Sequence, residues 1–424
     1  MKLNHIYKSI ACGVLLAMTA TSCDLDYNPV DTYSDVTEGV NKTDEKPIFN
    51  SVQDVETSMV TLHKKFRDRQ EHWYVDKLLI GDAHSDNAYA GTTGAEVVPY
   101  ETNSIEGSNS VLKRDWDRFL GDIAVANRII VGCDQLKALS ESERGKYQSQ
   151  AKIFRAMVMF DMVRLWGNFP VITTVGGDIT EDNVEEMYPT YFPPQNTAEE
   201  AYAQIEKDLT EAVENPNTPT NDTSDKSILT KSVARAMLAK VYAEKPLRDY
   251  AKVIKYADEL AADGFDLVED FSDLWAYDTE KKDCRVRNTK EAILEAHFPP
   301  GSGNWCTWMF GRNLSNWDES FTWAKWITPS RDLIRLYEEQ GDTKRYNESV
   351  VWYDCGWSNY YPADHYAFMY KCRSAFNSII YLRYADILLL KAEAKIMGEA
   401  PDLNGAAAVS YTHLRAHETR HDLV

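Results

Sequence analysis

The stretch richest in binding chemistry is SGNWCTWMFGRNLSNWDESFTWAKW, residues 302–326. Seven of the eleven tryptophans, Trp305, Trp308, Trp317, Trp323, Trp326, Trp352 and Trp357, fall within residues 305–357. Indole rings offer flat apolar faces on which the C–H faces of a sugar ring can lie. A sugar's hydroxyls then need amide, guanidinium and carboxylate partners, and Asn304, Arg312, Asn313, Asn316 and Asp318 stand between the rings. The same rings also suit core packing or a protein interface, and both readings stand at this point.

A second polar stretch, GDAHSDNAYAGTTGAEVVPYETN over residues 81–103, carries Asp82, His84, Asp86, Asn87, Tyr89 and Tyr100. Asp and Asn at such positions also cap helices and close turns. The expectation is that the two stretches converge. A third candidate is HETRH, His417 to His421, whose form matches a zinc-protease signature with Glu418 as base. Its setting argues against a metal site, since three residues follow it and too few apolar residues surround it to bury a site helix. The tail from about residue 409 reads as atypical, non-native sequence. No nucleophile elbow, phosphate loop or dinucleotide fingerprint is present, and no glycosidase carboxylate pair can be picked out among 66 acidic residues. No cofactor or metal is expected.

Cys23 suggests covalent chemistry of another kind. Lys2 and Lys8 precede an apolar run, Ile10 to Met18, and small residues, Thr19 to Ser22, lead up to the cysteine. This is the layout of a secretory signal peptide over residues 1–22. The run is too short to cross a hydrocarbon layer, which takes about 20 residues. Ala20-Thr21-Ser22-Cys23 resembles the lipobox of bacterial lipoproteins, so Cys23 is the expected lipidation site. The acidic stretch over 23–46 then reads as a tether. The net charge of −20 argues against nucleic acid or an anionic membrane surface as ligand and leaves neutral ligands and protein partners. The other cysteines, Cys133, Cys284, Cys306, Cys355 and Cys372, are widely spaced with no CxxC and read as mostly buried thiols.

The elements that must position these residues are helical. Val52 to Gln70 is amphipathic, and from Val111 the chain keeps Leu112, Trp116, Phe119, Ile123, Ala126 and Ile130 at three- and four-residue steps. The helix from Lys146 should stop at Gly167, with Pro170 beyond. AEEAYAQIEKDLTEAVE, KSVARAMLAKVYAE and DYAKVIKYADELAAD read as three more, the last closed by Gly264. Ala234, Ala236, Ala239, Ala251 and Ala257 would permit close helix contacts of the helix-turn-helix solenoid kind. Residues 265–377 are loop-rich, with one clear helix in SRDLIRLYEEQ, and long loops of this sort usually carry function. SIIYLRYADILLLKAEAKIMG reads as a last, central helix. Arg383 with Asp386, and Asp161 with Arg164, are spaced to pair along one helix face.

Three of these segments together resemble the SusD/RagB family of Bacteroidetes outer-membrane lipoproteins. YLRYADILLLKAEAK, Tyr381 to Lys395, is similar to the family's arginine-tyrosine-alanine-aspartate helix. AKIFRAMVMFDMVRLWGNFPVI, Ala151 to Ile172, resembles its arginine-alanine helix ending in an aromatic, glycine and proline. AYAQIEKDLTEAVENP and LTKSVARAMLAKVYA fit the next helix pair. The resemblance implies an all-α fold over 47–408, with tetratricopeptide-like helix pairs as scaffold and long irregular loops as the ligand-binding face. It further implies a lipid-anchored, surface-exposed outer-membrane protein that captures oligosaccharide or polysaccharide and delivers it to a SusC-like TonB-dependent transporter. A binder of peptide or another nutrient on the same fold, a surface glycoside hydrolase and a helical adaptor that contacts protein are the rival readings.

Overall fold

The structure, a computed structural model, describes residues 47–90, 96–177, 179, 183–278, 280, 283–298, 303–305, 326–371 and 373–410. The chain divides into two units, Met1–Pro47 and Ile48–Val424, and the second is described here. Cys23, the tether and the HETRH tail lie outside the described residues.

Helix starts are written into the sequence as reciprocal caps. Ser51, Ser140 and Thr197 each accept from the backbone three residues on, while Asp54, Glu143 and Glu200 reach back to the cap. Two orphan N–H groups are satisfied at each site. These caps open α1 (Val52–Asp68), α4 (Glu141–Trp166) and α6 (Ala198–Glu214). Between them lie α2 (Val98–Glu101), α3 (Ser110–Gln135, capped by Asn109) and α5 (Val184–Tyr191). Then follow α7 (Lys231–Ala243), α8 (Tyr250–Ala262), α9 (Arg331–Gln340), α10 (Thr343–Ser349), α11 (Tyr384–Met397) and α12 (Leu403–Ala408). Gly167 and Gly264 end α4 and α8 with φ of +72° and +92°, a conformation that costs glycine nothing.

The scaffold is a succession of packed helices: α3 on α4, α4 on α6, α6 on α7, α7 on α8, α8 on α11. Ala234, Ala236, Ala239 and Ala257 are buried where these helices approach, whereas Ala251 faces solvent. One contiguous apolar core runs through the scaffold, with Trp73, Phe119, Phe154, Leu209, Leu238 and Leu388 in it. Among the described residues no helix is long and apolar enough to cross a membrane.

The loop-rich region is less bare than its composition predicts. Short strands pair antiparallel within it and back onto the scaffold: β1 (Ala88–Ala90) with β5 (Ile327–Pro329), β2 (Tyr277–Asp278) with β3 (Asp283–Cys284), β4 (Ala292–Ala296) with β8 (Ile379–Arg383), and β6 (Val350–Tyr353) with β7 (Tyr366–Met369). β8 corrects one expectation, because the run from Ile379 to Gly398 does not form a single helix. Its β-branched start pairs with β4, and the helix begins only at Tyr384.

Both expected i,i+3 ion pairs are also replaced by tertiary ones. Arg383 Nη1 bonds the fully buried Glu291 at 2.7 Å, and Asp386 takes Lys240 of α7. Asp161 pairs with Lys77, and Arg164 with Glu244. Charges at helix interfaces find the partner that burial forces on them.

Candidate functional site

The loop face begins where α1 ends. The backbone enters a π-helical turn, Glu71–Val75, then one α-turn, Asp76–Leu78, then a second π-turn, Leu79–Ala83. Such turns carry one extra residue and are frequent beside functional sites. The segment delivers Asp82 to Tyr89 to the aromatic region, where Ala88, Tyr89 and Ala90 pair with Pro329, Thr328 and Ile327, the residues that follow the tryptophan-rich stretch. Ser330 N–H and Oγ donate to the carbonyls of Asn87 and Asp86.

Tyr89 anchors this seam. Its ring stacks on Tyr360 with centroids 4.6 Å apart, and its hydroxyl accepts from Arg331 N–H at 3.2 Å. The Arg331 guanidinium lies 4.7 Å from the centroid of Tyr361, a cation–π arrangement. The Tyr360 hydroxyl sits 2.6 Å from the Ala90 carbonyl and 2.8 Å from the Glu101 carboxylate, and burial and that carboxylate raise its pKa. Behind these rings Ile334, Val350, Tyr361, Tyr366, Ala367 and Phe368 form a second apolar core, separate from that of the scaffold. Trp352 borders it, its indole stacked on His365 at 4.2 Å.

The other half of the site is a knot of loops. Gln70 accepts from Trp305 N–H at 2.8 Å and donates to the Gly303 carbonyl at 3.1 Å, which pins this loop to the end of α1. Asn304 is 1% exposed and donates to the Asn377 carbonyl, and Asn377 donates to the Trp275 carbonyl. The Lys371 ammonium lies 5.1 Å from the Trp275 ring and 5.7 Å from Phe271. Burial lifts the Asp82 carboxyl above its usual range, against a hydrogen bond from Asn87 and the Lys371 charge. Trp305 is 40% exposed. The Trp275 indole N–H and the Tyr277 hydroxyl are buried and find no partner among the described residues. The exposed Trp305 indole on its pinned loop offers a flat apolar face to a ligand.

Two sequence candidates are corrected here. Tyr100 is fully buried, its hydroxyl donating to Asn109, and Asn304 is buried by its own bonds, so both hold loops in place and neither presents a surface. Asp86, Asn87 and His84 are exposed, and Asp82, Tyr89 and Trp305 border the seam and knot just described. Trp308, Arg312, Asn316, Trp317, Asp318 and Trp323 lie outside the described residues. Trp275, Tyr277, Arg331, Tyr360 and Lys371 escape a reading of the sequence, because they are scattered along the chain with no common spacing and only strand pairing and loop packing gather them. Of the thiols, Cys133 is buried, which pushes its pKa up to about 12, whereas Cys284 and Cys355 are half-buried. Among the described residues no group of three or more His, Cys, Asp or Glu is placed to hold a metal.

A helix-pair scaffold carrying a loop-built aromatic face is therefore the class that fold and site define. A family model described as "Starch-binding associating with outer membrane", SusD-like, matches residues 33–243. A SusD-like protein of Bacteroides ovatus is 25% identical over 309 residues, covering 70% of this chain and 50% of its own, so the chain spans about half the length of that curated relative. Among solved structures, surface glycan-binding protein A from Bacteroides fluxus has a TM-score of 0.69 at 19% identity, covering 88% of this chain and 83% of its own. A laminarin-binding SusD-like protein has 0.61 at 18%, covering 88% and 90%. A SusD superfamily protein from Bacteroides thetaiotaomicron has 0.67 at 18%, covering 86% and 81%. The chain belongs to the SusD-like family.

Proposed function

We propose that this chain is a non-enzymatic nutrient-binding lipoprotein of the outer-membrane surface. It captures oligosaccharides on the loop face and passes them to a SusC-like TonB-dependent transporter. The observation that carries the reading is the knot around Trp305: an exposed indole on a loop pinned by Gln70 and joined through Asn304 and Asn377 to the Trp275 backbone. The glycan-binding names of its structural relatives support the same ligand class. Aromatic stacking supplies affinity, and hydrogen bonds to hydroxyls supply specificity.

The test is affinity electrophoresis of the protein from residue 24 onward in gels containing laminarin, starch and other neutral polysaccharides. Retardation by one of them, weakened about tenfold (~1.4 kcal/mol) in Trp305→Ala and further in Trp305→Ala/Trp308→Ala/Trp317→Ala, is the expected result. A well-folded protein that no polysaccharide retards would overturn it and favour a peptide ligand or a protein adaptor. Release of new reducing ends from a retained polysaccharide would instead establish a glycoside hydrolase.

A further inference from the structure

The π-helical segment 71–83 is fastened to α3 by two layers of buried charge that differ in their proton count. In the first, Asp122 alone receives three donors: Lys65 of α1 at 3.0 Å, His72 Nε2 at 2.8 Å and the Trp73 indole at 2.9 Å. One carboxylate with three donors is satisfied as an anion, and Asp122 lies below the usual carboxylate range even though burial alone would raise it. Burial pushes the His72 imidazole down, against its hydrogen bond to Asp122.

The second layer has a surplus of carboxylates. Asp76 is 0% exposed and Asp115 1%. Arg114 lies between them, hydrogen-bonding Asp76 Oδ2 with its Nε 3.6 Å from Asp115 Oδ1, and the charge of Arg118 also reaches Asp115. Other charged or titratable groups facing this layer are accounted for. Arg118 is paired with Glu71 at 2.8 Å, Lys77 is turned to Asp161 of α4, and the Tyr100 phenol of α2 donates to Asn109. Two buried oxygens, Asp76 Oδ1 and Asp115 Oδ1, are reached by no donor among the described residues, although the two side chains are within hydrogen-bonding reach of each other. Bare carboxylate oxygens facing each other away from water repel. A single proton between them makes a short, charge-assisted O–H···O⁻ bond instead.

We propose that one proton shared by Asp76 and Asp115 latches segment 71–83 onto α3, and with it the loop from Asp82 to Tyr89, and that losing this proton in alkaline solution releases the latch. Burial, then the neighbouring Asp76 charge, raise the Asp115 carboxyl from 3.8 to about 9. The proton is therefore held at neutral pH. For an acid whose folded value is raised, the stabilisation is complete below the unfolded value and fades as pH rises towards the folded one, so the window runs from about pH 4 to about pH 9. The inference concerns how the site is held and is independent of what the site binds.

Three measurements on wild type, Asp115→Asn and Asp76→Asn test it. Either amide removes the shared proton, and the amide that Asp115→Asn introduces can still donate to Asp76 Oδ1. Between pH 6 and pH 9 the wild-type Tm should fall by about 2 °C per pH unit more than that of either variant. At neutral pH the infrared spectrum of wild type should contain a protonated carboxylic-acid band that both variants lack. Amide exchange in residues 71–83, corrected for its intrinsic pH dependence, should quicken above pH 8 in wild type only. Equal Tm slopes in all three proteins, or no acid band in wild type, would overturn the latch. If Asp115→Asn fails to fold, Asp76→Asn and the wild-type spectrum decide alone.

Discussion

Arg155 shows what a single charge contributes to this scaffold. It is 4% exposed on α4 and its guanidinium grips Asp208 of α6 through two bonds of 2.8 and 2.7 Å, while a third, at 2.7 Å, reaches Asn127 of α3. Three helices are thus registered by one side chain, which gives the arginine of the arginine-alanine helix a structural role. Truncating one partner strands the other in the core. Arg155→Leu or Asp208→Leu alone should cost about 3–5 kcal/mol in urea unfolding, whereas the double leucine variant should recover most of it. A double variant as unstable as the sum of the two would reject this account. Gln70 plays a comparable part in the site: Gln70→Ala should cost only about 1–2 kcal/mol of stability through two lost hydrogen bonds, yet weaken retention on any polysaccharide that Trp305 holds. Little of this pairing was legible in the sequence. The i,i+3 spacing of Arg383 with Asp386 is a local signal, but Glu291 and Lys240 are brought up by tertiary packing, which no local spacing encodes.

At the level of the element, the helices were legible because their caps and apolar stripes agree, as at Ser140 with Glu143 and at Thr197 with Glu200. β8 was not, since a mostly apolar run leading into a helical pattern satisfies both periods until a partner strand is known. The partner, β4, lies far upstream in the chain and is buried at every position, so it too lacked the alternation that marks a strand. Within α3, two glycines that look alike in sequence are set apart by their surroundings. Gly121 is exposed with open space where a Cβ would stand, whereas a Cβ on Gly132 would lie 2.4 Å from the Phe49 ring. Gly121→Ala should therefore stabilise by about 0.5–1 kcal/mol through helix propensity, and Gly132→Ala should destabilise by displacing Phe49 from the core. Thermal unfolding of the two variants should move in opposite directions, and a shared direction would contradict these placements.

Across the whole unit the arrangement of apolar clusters predicts how it comes apart. The scaffold core is continuous from Phe49 to Val409, but the cluster behind Tyr89 and Tyr361 is small and built almost wholly from residues 334–368. This aromatic lobe meets the scaffold along the three-residue β1–β5 ladder, through the Tyr89–Tyr360 stack, the Tyr360 hydroxyl on Ala90 and Glu101, the Lys371 contacts with Trp275 and Phe271, and the Lys344–Asp270 pair at 3.9 Å. The exposed Lys344–Asp270 pair contributes at most about 1 kcal/mol, so the lobe is held by the seam around Tyr89 together with its own core. Phe368→Ala, which empties a fully buried position there, should cost the lobe about 3–5 kcal/mol while leaving the helices intact. The expected record is an early loss of near-ultraviolet circular dichroism and of protection at Val350–Tyr353 and Tyr366–Met369, with far-ultraviolet helicity lost only in a later transition. Because Tyr89 and Arg331 sit on the seam between lobe and scaffold, polysaccharide retention that draws on them should vanish with the first transition. A single coincident transition by all probes would mean that the two cores fold as one, and that the loop face is held by the scaffold itself.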